Sequence, residues 1–134
     1  MGKYVFIREF YARRRPVVSF EIFPPKTGNA IETVSATVSG LQALNPAFIS
    51  VTYGAGGSTR ELTVEIASLI KTGFRVEALA HLTCVGHTAA EIDGILARLR
   101  AGGIENILAL RGDPPAGAAD FDYSACDFRY AVDL

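Results

Sequence analysis

The sequence predicts an α/β fold built on a parallel sheet. Three observations lead there. Apolar, β-branched runs alternate with stretches that place apolar residues at gaps of three and four, the period of a helix. The strand-like runs are near-continuously apolar, as in strands covered by crossover helices. Polar residues at successive strand ends, Glu21, Thr52, His81 and Arg111, fall 31, 29 and 30 residues apart. A steady βα period of about 30 residues suits either a doubly wound sheet or a (β/α)8 barrel, and a whole barrel needs about 250 residues. The chain has 134.

Taken in order, VVSFEIF (17–23) reads as the first strand, ended by Pro24 and Pro25, which cannot continue a ladder. Residues 29–44 carry Ile31, Val34, Val38, Leu41 and Leu44 at helical spacing, with Gly40 as a weak point. AFISVTY (47–53) is the second strand and GAGGS (54–58) a glycine-rich turn. A second helix covers 59–73, with Thr59 placed to cap it and Gly73 to stop it. RVEALAHLT (75–83) is the third strand. The third helix spans 88–103, with Thr88 and Glu91 in capping-box register. NILAL (106–110) is the fourth strand, 112–127 a loop rich in Gly, Pro and Asp, and FRYAVDL (128–134) the opening of a fourth helix.

Composition narrows the function classes. Apolar residues make up 49% and charged residues 20%, a globular balance. A net charge of −1 argues against nucleic acid as a partner, because phosphate neutralisation needs a basic patch. The basic run at 13–15 reads as a solvated face. The two cysteines, Cys84 and Cys126, form no CxxC pair and no metal-ligand spacing with His81 or His87, so no metal is expected and the thiols should be reduced. No signal peptide is visible, and no apolar run nears the roughly 20 residues of a membrane helix, so the expected location is the cytoplasm.

The turn YGAGGSTRE resembles a phosphate loop only superficially. It lacks the Lys of GxxxxGK[ST] and the third Gly of GxGxxG. It reads either as a plain turn or as a βα loop that lets backbone approach a ligand. Ligands of parallel α/β folds bind at the carboxyl ends of strands, where Glu21, Thr52, His81 and Arg111 lie. Glu21 sits within Ser-Phe-Glu-Ile-Phe-Pro-Pro; poor solvation there would suit a general acid near neutral pH. The structural alternative is a buried Glu paired with an Arg. Arg111 and Asp113 flank Gly112 in RGDPP, and their plain reading is a local ion pair closing a turn. An adhesion role for RGD does not suit a chain without secretory features. His87 reads as an exposed loop residue.

VSFEIFPPK, FISVTYGAGGSTRE, AHLTC, LALRGDPP and FRYA, in this order and spacing, resemble the methylenetetrahydrofolate reductases from about Val17 onward. The resemblance implies a flavin-containing (β/α)8 TIM barrel. Such an enzyme moves a hydride from NADH or NADPH to FAD and then to 5,10-methylenetetrahydrofolate, giving 5-methyltetrahydrofolate for methionine biosynthesis. Glu21 matches the acid that protonates the folate N5. Asp113 matches an Asp near the flavin pyrimidine edge, and Thr52 a position beside flavin and nicotinamide. Tyr53, Ala55, His81, Arg111, Gly112, Tyr130 and Ala131 match FAD contacts. The family's barrel has four further strands, with more FAD contacts and a Gln and a Phe for folate and nicotinamide; only about the first four βα units, half a barrel, are present here. The expectation is a fragment of a longer reductase, or a chain that self-associates or joins a missing C-terminal half. The alternative is an inactive half barrel that acts at most as a flavin-binding or self-associating module.

Overall fold

Parallel strands cannot be joined by tight turns, so each pair here is linked by a helix that must bury one apolar face. The structure, a computed structural model, describes residues 5–12, 15–25, 29–54, 60–114, 117–118 and 120–134. Strands β1 (Ser19–Ile22), β2 (Phe48–Val51), β3 (Ala78–Thr83) and β4 (Asn106–Leu110) form one parallel sheet in sequential order. Helices α2 (Ala30–Gln42), α3 (Arg60–Ser68) and α4 (Ala89–Ala101) connect them.

The helices pack on one face of the sheet. Val34, Val38, Ile66, Ile70, Ile92, Ile95 and Leu99 share a core with Ile22, Ile49, Val51, Ala78, Ala80 and Leu82. The alternating strand residues, including Glu21, Ser50 and His81, therefore lie on the other face. The second face is not covered by these helices: Ser19, Glu21 and Leu108 on it are exposed. A parallel sheet of four strands in sequential order, with a helix between each pair, fits part of a barrel-like α/β fold.

Local signals set most boundaries. The capping box forms as expected: Thr88 Oγ1 accepts from the Glu91 amide at 3.3 Å, and Glu91 Oε2 accepts from the Thr88 amide at 2.8 Å. Gly40 is accommodated within α2, with open space around it. Beyond Ser68, α3 widens into a π-turn over Leu69–Gly73, and the chain then passes through Arg75 at φ +56° to reach β3. Thr59, the expected cap of α3, lies outside the described residues.

Two elements differ from expectation. Residues 128–134 do not open as a helix from Phe128. Tyr130 is extended, and only a 3-10 turn forms at Ala131–Asp133. The Asp133 carboxylate accepts from the amides of Arg129 and Tyr130 at 2.9 and 2.7 Å, which holds the segment in that bend. A further helix, α1 (Ile7–Ala12), precedes β1. It is docked by buried Asn106, whose Oδ1 accepts from the Ile7 amide at 3.0 Å and whose Nδ2 donates to the Val5 carbonyl and to Glu77 Oε1, both at 2.9 Å. Lys71 neutralises Glu77 at 2.6 Å. This polar cluster sits at the amino ends of β3 and β4, away from the end where ligands bind in such folds.

Candidate active site

The register of β1 against β2 makes Glu21 and Ser50 direct neighbours on the open face. Ser50 Oγ donates to Glu21 Oε2 at 2.9 Å. His81 reaches the same oxygen from β3, with Nε2 at 3.3 Å, close enough for a charge contact but not aligned for a hydrogen bond. One carboxylate, one hydroxyl and one imidazole from three strands thus converge. Thr52 follows next along β2; since Val51 pairs with Ala80, Thr52 stands level with His81. Its amide extends the ladder to the Ile22 carbonyl at 3.0 Å.

The sequence places Glu21 and His81 correctly in one neighbourhood but misjudges their settings. His81 is the fourth of the six residues of β3, not its last. The Glu21 side chain is 45% exposed, so the poor solvation expected from its phenylalanine neighbours is absent in this chain. The reason is the pleat: Phe20 and Ile22 turn to the helix face, while Phe23, on Glu21's own face, is 72% exposed. Among the described residues the partners of Glu21 are Ser50 and His81, not an Arg. Ser50 escaped the sequence reading because a serine within an apolar strand carries no signal of its own.

At the end of β4 the ladder runs on past the strand. The Cys84 amide donates to Leu110 O and the Val85 amide to Arg111 O, at 3.0 and 2.8 Å. Gly112 follows at φ +86°, packed so closely that a Cβ would lie 2.6 Å from Val85 Cγ1 and 2.9 Å from Thr83 Cβ. Arg111 and Asp113 form no ion pair among the described residues. The Arg111 guanidinium instead covers the Tyr123 ring at 4.5 Å, and Asp113 is exposed. Tyr130 is exposed, and Ala131 opens the 3-10 turn. Ala55, with 56–59, lies outside the described residues. Cys84 and Cys126 are both free thiols, and among the described residues no group of His, Cys, Asp and Glu could hold a metal ion.

His87 requires a second correction. His87 is buried, at 5% exposure, not an exposed loop residue. Its Nε2 lies 3.3 Å from the Tyr53 hydroxyl, with the rings edge to face. The Tyr53 ring points into the helix-side core, so only its backbone remains available to a ligand on the open face. Burial raises the Tyr53 hydroxyl above its usual range, with Arg60 opposing.

Burial also lowers both histidines below the usual imidazole value. Glu21 opposes this at His81; at His87, Arg60 adds to it and Glu91 opposes. A histidine that binds protons less readily when folded contributes stability that is complete above its unfolded value and is lost as pH falls. The urea midpoint is therefore expected to stay level above about pH 7 and to fall as the pH drops below the usual imidazole value. His87→Gln should flatten that slope. A midpoint that rises on acidification below that value would contradict the assignment.

Gly112's bare backbone, the exposed Arg111 cation and the polar pair Thr52 and His81 thus stand at neighbouring strand ends on the open face. A family model described as "Methylenetetrahydrofolate reductase" matches residues 6–134. The chain is 43% identical over 128 residues to "Probable methylenetetrahydrofolate reductase (NADH)" of Oryza sativa subsp. japonica, covering 96% of this chain and 22% of that protein. It is 45% identical over 116 residues to "Methylenetetrahydrofolate reductase (NADH) 1" of Arabidopsis thaliana, covering 87% and 20%. It is 41% identical over 110 residues to "5,10-methylenetetrahydrofolate reductase" of Escherichia coli (strain K12), covering 82% and 37%. The chain thus spans well under half the length of these relatives. No helix among the described residues is long and apolar enough to cross a membrane.

Proposed function

The chain belongs to the methylenetetrahydrofolate reductase family, and from that premise we propose that it supplies the catalytic-acid half of a flavin-dependent (β/α)8 barrel that reduces 5,10-methylenetetrahydrofolate to 5-methyltetrahydrofolate in the cytoplasm. The observation that carries the reading is the convergence of Glu21, Ser50 and His81 on the open face of a sheet whose strands follow in sequential order.

In this reading Glu21 delivers a proton to the folate, opening its ring for reduction. Asp113 contributes a negative charge that favours the cationic folate. Thr52, His81, Arg111, Gly112, Tyr130, Ala131 and the backbone at Tyr53 and Ala55 would hold FAD. When bound, FAD supplies hydride transfer between NADH or NADPH and the folate carbon. The names of the rice and Arabidopsis relatives specify NADH.

A carboxyl works as an acid near neutral pH when water is largely excluded from it. Glu21 is half open to solvent in this chain, so the exclusion must come from what covers the open face. Among the described residues β1 and β4 are the outer strands, each paired on one side only. The proposed cover is the remainder of a barrel, supplied by a longer chain, a complementing half or a second copy.

The visible spectrum of FAD mixed with the chain tests the reading. Shifted, better-resolved flavin bands are expected, weakened by Arg111→Ala. A spectrum identical to free FAD at excess protein would overturn flavin binding by this half on its own and leave the cofactor dependent on the rest of the barrel.

A further inference from the structure

Glu21 is gripped at one oxygen only. Ser50 Oγ and His81 Nε2 both approach Oε2, at 2.9 and 3.3 Å, while Oε1 makes no hydrogen bond among the described residues. The serine hydroxyl has a second acceptor in reach, the Phe20 carbonyl at 3.4 Å. It carries a single proton, which goes to the nearer and charged oxygen. Ser50 is 6% exposed and sits in the middle of the sheet, whereas Glu21 lies on an outer strand with its side chain half open to water. An exposed glutamate left to itself samples several rotamers. Here a buried, register-fixed hydroxyl selects one.

We propose that Ser50 is a positioning residue for Glu21: it pins Oε2 between β2 and His81 and leaves Oε1 free for the proton that meets the substrate. This rests on the acid role of Glu21 given above. The strand register supplies the geometry, because Glu21 and Ser50 are Cα partners and no loop has to order for the bond to form. Serine suits the place because its hydroxyl reaches the carboxylate without a longer chain that would cover the open face.

The test uses the 134-residue chain without cofactor and follows the His81 imidazole by nitrogen-15 NMR across pH. In Glu21→Gln the His81 midpoint should fall, because the carboxylate that favours its protonation is gone. In Ser50→Ala the carboxylate is expected to swing towards solvent, so the His81 midpoint should fall in the same direction, by roughly half a pH unit. Ser50→Thr should restore it. Ser50→Cys, near-isosteric and a weak donor, carries the same test if Ser50→Ala loses the fold. A His81 midpoint that stays put or rises without the hydroxyl would show the carboxylate beside His81 unaided and overturn the proposal.

In an assembled reductase Ser50→Ala should lower kcat for folate reduction roughly tenfold with KM little changed, the size of one lost hydrogen bond to a charged group. The two levels separate the ways of failing. If Glu21 is not the acid, the NMR coupling persists while Glu21→Gln leaves folate reduction intact. If Ser50 does not position it, the coupling to Ser50 is absent while Glu21→Gln still abolishes folate reduction.

Discussion

Glu21→Gln is expected to lower folate reduction by about 10²–10⁴-fold in a reductase containing this chain, the usual contribution of a positioned acid. Oxidation of NADH or NADPH with an artificial electron acceptor should continue at close to its normal rate. The amide keeps the size of the side chain and can still meet Ser50 and His81, so the fold is not under test. It has no proton to deliver at the folate nitrogen. Steady-state assays of the two half-reactions separate the cases. If both rates fell together, Glu21 would be serving cofactor binding or structure; if neither fell, the acid would lie elsewhere.

Gly112→Ala should destabilise the chain by about 3 kcal/mol, combining the cost of a left-handed backbone for a residue with a Cβ and the cost of overpacking. At φ +86° the added methyl would meet Val85 Cγ1 at 2.6 Å and Thr83 Cβ at 2.9 Å. Neither neighbour gives way easily, because Thr83 is paired in β3 and the Val85 amide is bonded to Arg111. The backbone would have to move at the point where Arg111 and Asp113 leave the sheet. A urea titration measures the loss directly. A change within experimental error would mean that the turn after β4 relaxes freely, and with it the fixed placement of Arg111 and Asp113.

The origin of each feature follows the range of the interaction behind it. Glycines 40 and 112 illustrate the difference. Both are single glycines near apolar runs, yet Gly40 has open space around it and Gly112 has none. The distinction lies in what Thr83 and Val85, nearly thirty residues away, bring to the spot.

The sequence by itself determined what depends on neighbours along the chain. The alternation of strand and helix, the period of about 30 residues, the capping box of Thr88 and Glu91, and the family motifs around Glu21, Thr52, His81 and Arg111 all rest on contacts within a few residues or on spacing. Tertiary structure decided what depends on register and on which face a side chain takes. It joined Ser50 to Glu21 across the β1–β2 pair, and buried His87 against Tyr53. It docked α1 through Asn106, about a hundred residues distant. It also left Glu21 open to water, because the pleat sends its phenylalanine neighbour Phe20 to the helix side. Burial and hydrogen bonding between distant strands are properties of the assembled sheet, and no local pattern encodes them.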